Sequence, residues 1–362
     1  MRRKRPTFWL ILFALTALAQ SQELPEKPLH PNPGRALQLE EVLRIKGEGP
    51  KYYFEGVARV EIDREGCLYL SDAWGSSRPS HLLKFAPDGR FLKEFFRPGE
   101  GPGEIQSYFQ FALTDSDVLL YDFMKRKIVI KSPEGEFRTE LKKADYNFGE
   151  LLGVFDNEPV FHRSKRPAER PTSRLYENTH EAVWITKDGK SERTLASVVN
   201  REFIVSLSQG GGFKSWDPFT AVIGSGLLFF NPTQEYLVRI LDLKTGKETG
   251  VLRRKYPRVK HPTPDWEKKF DSQYNAPSRT YENDIRRLFH DGTRLWICTS
   301  TEDKENGGLF DVFDSAGRFI DSVRIKGNVA KIAGDFIFMG ASDKDELPSL
   351  VKYRIAEPIG GR

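Results

Sequence analysis

Three polar residues close three short apolar runs in this chain: Asp72 follows CLYLS, Asp122 follows VLLY and Asn231 follows LLFF. Two carboxylates and an amide are oxygen donors of the kind calcium takes in irregular geometry. An ion held by them would activate water or polarise a substrate oxygen, the chemistry of a metal-dependent hydrolase or lyase. The competing role for an Asp at a strand end is to accept hydrogen bonds from its own turn. A second set is cationic and partly aromatic. Gln110 and Arg286 fall near the starts of expected inner strands, and Arg163, Arg279 and Trp216 fall in adjoining loops. Together they would line a pocket for an anionic or carbohydrate-like ligand. Solvated or ion-paired arginines are the alternative in a chain with 30% charged residues. The six histidines, His30, His81, His162, His180, His261 and His290, show no close zinc spacing. His81, His162 and His261 would meet at one face only if separate repeats brought them there. No G-x-S-x-G elbow occurs, and the SQGGG run at residues 208–212 reads as a flexible loop.

A repeat must position these residues. An apolar strand, a tight turn ending in glycine and a second strand recur as LLKFAPDGRFLKEF (82–95), IVIKSPEGEFRTEL (128–141), AVWITKDGKSERTL (182–195), VRILDLKTGKETGVL (238–252) and FDVFDSAGRFIDSV (310–323). The glycine supplies the positive φ that closes a hairpin. Upstream of each hairpin lies a short apolar strand, and a sixth such strand follows the last hairpin: 67–72, 118–122, 159–163, 227–231, 295–299 and 336–340. Hairpins at a long fixed period predict an all-β, six-bladed β-propeller of four-stranded antiparallel blades. The last unit supplies only three strands. RIKG at residues 44–47 matches RIKG at 324–327, so the N-terminal strand, 39–47, is expected to close the last blade and leave no open edge. GEGP at 47–50 recurs at 99–102 and reads as a turn between blades, because no Lys-Ser/Thr pair follows to make a phosphate loop.

In such a blade, the links between strands one and two and between three and four lie on one face. The loops expected there are tight turns at 63–66, 87–89 and 115–117. All other links lie on the opposite face, and there the chain places long insertions at 164–180, 200–218 and 257–283. Long loops on a rigid scaffold are where binding concentrates. Within the last insertion, PTPDWEKKFDSQY (262–274) predicts a helix capped by Asp265, with Trp266, Phe270 and Tyr274 at four-residue spacing to seal it onto the propeller.

The first residues read as an export signal. Arg2, Arg3, Lys4 and Arg5 precede an apolar stretch at 8–19 that ends in Ala17-Leu18-Ala19. That stretch is shorter than the roughly twenty residues a bilayer span needs, and no Cys follows it to carry a lipid anchor. The expected organisation is a signal peptide at 1–19, an N-terminal extension at 20–38 and the propeller at 39–362, with no stable membrane insertion after cleavage and a periplasmic or extracellular location. The chain has 56 Lys and Arg against 51 Asp and Glu, and four of those cations sit in the signal. The remainder is close to neutral and evenly mixed, which argues against nucleic acid. Cys67 and Cys298 are expected as two buried free thiols.

GEGPGE (99–104), PTPDWEKKF (262–270) and IRRLFHDGTRLWI (285–297) give the chain a resemblance to secreted bacterial six-bladed β-propellers related to the NHL and TolB-like groups. The resemblance implies the propeller across the mature chain. It also implies a choice among binding proteins, lyases and lactonases, which fold alone does not make. The leading expectation is a binding or scaffold module for a peptide, glycan or protein partner at the long-loop face. The alternative is a lactonase-like, metal-dependent hydrolase or lyase, with calcium the ion its ligands would suit.

Overall fold

All five residues of the strand Val118–Asp122 are buried. Val118 and Leu120 pack with Tyr69, Leu82 and Phe111, while Leu119 and Tyr121 pack with Phe148, Phe161 and Val183. A strand covered on both faces requires a continuous apolar run and not an alternating one. Hence the six runs read from the sequence.

The computed structural model describes residues 34–72, 81–95, 99–106, 108–142, 148–165, 175–204, 213–215, 219–342 and 347–360, and the backbone of 21–24. The chain forms a six-bladed β-propeller of four-stranded antiparallel blades. Blade one comprises Arg59–Ile62, Leu68–Ser71, Leu82–Phe85 and Phe91–Glu94. Blade two comprises Phe109–Leu113, Val118–Asp122, Lys127–Lys131 and Phe137–Lys142. Blade three is longer, with Phe148–Phe155, Glu158–Lys165, Leu175–Ile185 and Glu192–Ile204, and Phe213–Ser215 adds a fifth strand. Blade four comprises Thr220–Gly224, Leu227–Asn231, Leu237–Asp242 and Glu248–Arg254. Blade five comprises Ile285–His290, Arg294–Asp303, Gly307–Asp314 and Phe319–Ile325. Blade six comprises Asn328–Ala333, Phe336–Ala341 and Ser349–Ile355, and Leu39–Lys46 completes it. That N-terminal strand pairs antiparallel with Ser349–Ile355, Ile45 opposite Leu350.

Every consecutive pair of blades encloses one apolar cluster. The joint between last and first blades is built like the others: Ile45, Phe338 and Leu350 meet Val60, Leu70 and Phe85. The five hairpin glycines, Gly89, Gly135, Gly189, Gly246 and Gly317, all have positive φ between 66° and 85°. Any other residue there would strain its turn.

Several expectations need correction. Residues 175–180 and 200–204 are strand and not loop, because Leu175–Ile185 and Glu192–Ile204 extend the outer part of blade three into a ribbon. Polar residues occupy both faces of that extension, so no apolar alternation announced it. The N-terminal extension is partly ordered as well: Ser21–Leu24 pairs in parallel with Glu248–Arg254, and Arg35–Ala36 with Phe319–Ile325. These strands cover the outer edges of blades four and five, which would otherwise present unpaired backbone groups. The predicted helix forms at Asp265–Tyr274, but Pro264 precedes it as the cap and Asp265 is its first residue, paired with Lys268. Cys67 is a buried free thiol, whereas Cys298 is free but only half-buried. Among the described residues no helix is long and apolar enough to cross a membrane. The expected signal peptide lies outside the described residues.

Candidate functional site

The six inner strands surround a central cavity of about 560 Å3. Arg59, Glu61, Glu150, Arg286, Arg287, His290 and Lys331 line it, with apolar neighbours such as Phe219, Leu288 and Phe289. Glu61 is clamped, with Arg59 Nε 3.0 Å from one carboxylate oxygen and Lys331 Nζ 2.6 Å from the other. Burial opposes its charge, yet these two cations outweigh burial and hold its carboxyl below the ordinary range. Arg59 also donates to the Leu151 carbonyl at 2.8 Å, and Arg287 to the Val329 carbonyl at 3.1 Å. Charged side chains thus tie together the inner strands of blades one and three, one and six, and five and six. Glu150 differs from Glu61: it has no ion pair among the described residues, and desolvation within the channel pushes its carboxyl up against the opposing pull of Arg59 and Arg287. His290 accepts a bond at Nδ1 from the Gly292 amide at 3.1 Å, and burial lowers its affinity for a proton, so the neutral ring carries its hydrogen on Nε2.

The four described residues expected to bind a ligand each have their own set of partners. Arg286 lines the channel and pairs with Glu302 at 2.9 Å. Gln110 bridges blades two and three, accepting from the Leu151 amide and donating to the Gly149 carbonyl at 3.5 Å. Arg163 is held within blade three by Glu181 at 2.8 Å and Glu192 at 3.1 Å. Arg279 lies in the long insertion, donating to the Tyr281 carbonyl at 2.9 Å. Trp216 lies outside the described residues.

Asp72, Asp122 and Asn231 are all buried at the ends of second strands. Asp72 accepts the amides of Glu55 and Gly56 at 3.0 and 2.9 Å, and Asp122 accepts those of Gln106 and Lys125 at 3.1 and 2.9 Å. Asn231 accepts the Thr233 amide at 2.9 Å and donates to the Glu235 carbonyl at 2.8 Å. These bonds fasten the turns and linkers between strands, which is the role a turn-holding side chain performs. The three histidines also separate. His81 pairs with Glu94, His162 with His180, and His261 with Glu267 and Glu282. Asp63, Glu65 and Cys67 lie close together on the opposite face, where Asp63 accepts the amides of the other two and so closes a turn.

Sequence reasoning missed the long-loop face's principal construction. On the blade-three ribbon, His162 Nε2 lies 2.8 Å from His180 Nδ1, His180 Nε2 lies 3.2 Å from Glu202, and the Tyr176 hydroxyl donates to Glu202 at 3.0 Å. Phe219, which lines the channel, stacks on His162 at 4.9 Å. Tyr176, Asn178 and His180 follow a two-residue period opposite Asn200 and Glu202, and this spacing was the available signal. Beside the ribbon stands the 257–283 insertion. Its helix packs Phe270 and Tyr274 near Phe203 and Ala276, while Trp266 is 68% exposed, against the expectation that all three aromatics would seal the helix. His261 anchors the insertion, with Glu282 2.8 Å from Nδ1 and the buried Glu267 2.7 Å from Nε2. A cleft of about 590 Å3 is lined by residues of the ribbon, the insertion and blade four, among them Leu175, Arg201, Gln234, Arg258 and Pro277.

No family model matches the chain, and no curated protein matches it in sequence. Solved structures do match. A protein of Bacteroides fragilis named for its expected export is 15% identical, with a TM-score of 0.55 over 89% of this chain and 96% of that one. A DUF4221 family member from Bacteroides vulgatus is 10% identical, with a TM-score of 0.56 over 90% of this chain and 99% of that one. At these identities the likeness shows the fold, and the fold is a six-bladed β-propeller along nearly the whole chain.

Proposed function

We propose that this protein is an exported binding module that engages a peptide, glycan or protein partner through its long-loop face. The observation that carries the reading is Trp266, 68% exposed on a helix anchored by the His261 contacts and by the packing of Phe270. An exposed tryptophan on a fixed helix, in an insertion whose Arg258 and Pro277 line a cleft with Arg201, has the composition of an interface anchor. The Arg201 side chain, in that cleft, has no hydrogen bond or ion pair among the described residues. Export is supported by the signal-like residues 1–19 and by the Bacteroides fragilis structure named for its export. The periplasmic or extracellular location and the NHL/TolB-like kinship belong to the same proposal. The hydrolase or lyase reading gains no support from Asp72, Asp122 and Asn231, whose polar atoms hold turns and linkers.

The test is a peptide and glycan array probed with the mature protein, with Trp266→Ala, and with Arg318→Ala on the opposite face. Trp266→Ala is expected to weaken the strongest interaction roughly tenfold or more, as loss of an anchor does, while Arg318→Ala leaves it unchanged. Sensitivity to Arg318 and indifference to Trp266 would reject the face assignment.

A further inference from the structure

The channel lining carries more positive than negative charge and leaves one arginine without an acidic partner. Four cations, Arg59, Arg286, Arg287 and Lys331, face two carboxyls, Glu61 and Glu150. Glu61 is already neutralised by Arg59 and Lys331. Arg286 is paired only with Glu302 at the protein surface, an exposed contact that solvent weakens. Arg287 contacts only neutral oxygens, the Val329 carbonyl at 3.1 Å and the Asn328 amide oxygen at 3.5 Å, both through Nη1. The rest of its planar fork meets no hydrogen-bond partner or carboxylate among the described residues. Such a fork matches the two oxygens of a carboxylate, phosphate or sulfate group. The cavity, about 560 Å3, falls in the range of small-molecule sites, and Phe219, Leu288 and Phe289 add apolar surface to its lining.

We propose that the central channel is an anion site, in which Arg287, supported by Arg286, receives an oxyanion group of a small ligand and Glu150 opposes it. The inference stands on the channel lining and goes beyond the partner reading, which rests on Trp266. Failure of one therefore leaves the other in place. Glu150 gives the site a signature that a merely cationic surface lacks. Its carboxyl lies within the electrostatic reach of Arg287, so its negative charge competes with an incoming anion. Removing that charge strengthens binding, whereas removing Arg287 weakens it.

Isothermal titration with inorganic phosphate, inorganic sulfate and glucuronate tests the proposal and separates free mineral anions from an organic carboxylate. The expected result is saturable one-to-one binding of at least one probe, weakened roughly tenfold by Arg287→Gln and strengthened several-fold by Glu150→Gln. Arg318→Gln on the short-turn face leaves the affinity unchanged. Thermal melts of each variant establish that it is folded, and the opposite sign expected for Glu150→Gln cannot arise from misfolding. Absence of saturable binding for all three probes, or binding indifferent to both Arg287 and Glu150, would overturn the assignment.

Discussion

The blade-three ribbon and the 257–283 insertion each hold a histidine, His162 and His261, and the two are driven in opposite directions. His162 is half-buried against His180 and Phe219, and desolvation together with the neighbouring imidazole pushes it down to about 4. Its neighbour His180, and not His162, meets the carboxylate of Glu202. His261 has a carboxylate at each ring nitrogen; burial opposes its charge, but the bonds to Glu267 and Glu282 outweigh burial and raise its proton affinity. The same side chain on the same face thus packs in its neutral form in one place, and in the other is a clamp whose protonated form is favoured. What differs is whether the charged partner touches the ring itself or stands one residue away.

Breaking the ribbon's polar chain at its acidic end is expected to have the largest effect. Burial disfavours the Glu202 charge, yet bonds from His180, Asn178 and Tyr176 outweigh it and hold the carboxyl at about 2. Glu202→Ala leaves the buried His180 and Tyr176 donors without their acceptor, at a cost of about 3 kcal/mol. Chemical denaturation checks the magnitude, and Glu202→Gln, which retains an acceptor, should recover part of it.

Acid should loosen the ribbon before it loosens the insertion. Because the folded-state affinity of His162 lies below its unfolded one, the stability it confers is fully present above about pH 6.5 and is lost as pH falls through about 4, of the order of 3 kcal/mol in total. The His261 clamp has the reverse sign. Its contribution is fully present below the ordinary histidine value and is lost as pH rises through the raised one. Hydrogen exchange against pH reads both: protection of 175–204 should fall on acidification while that of 261–276 holds. His162→Leu should flatten the first profile, and parallel profiles would dissolve the comparison.

A smaller effect sharpens the second half of the contrast. His261→Gln keeps hydrogen-bonding capacity but removes the protonatable ring between Glu267 and Glu282, and should destabilise the insertion by about 1 kcal/mol. Exchange at 265–274 should rise while the blade strands keep their protection. Global unfolding at that substitution would show that the insertion supports the propeller, contrary to its description as an added element.

The propeller was legible because its determinants are local or repeated. Each second strand is buried on both faces and so is written as an unbroken apolar run, and each hairpin needs a glycine at one position. The RIKG match exposed ring closure because residues 44–47 and 324–327 occupy the same outer position in successive blades. The channel lining was less legible. Arg286 was expected at the mouth and lines it, but Glu150, Arg287 and Lys331 follow register shifts at Phe148/Glu150, Ile285/Arg287 and Val329/Lys331. A bulge adds one residue and reverses which side chains face the axis, so counting by twos fails there. The ribbon was hidden for a different reason. Its buried face is built from Tyr176, Asn178, His180, Asn200 and Glu202, which read as loop residues until their partners across the strands are known.

The central claim is that binding belongs to the face carrying the ribbon, the insertion and the channel mouth. Hydrogen exchange with the strongest array ligand bound at saturation tests it most directly. The account predicts new protection at 175–204, at 257–283 and at the starts of the inner strands. Protection confined to the tight turns at 63–66, 87–89, 115–117 and 314–317 would contradict it.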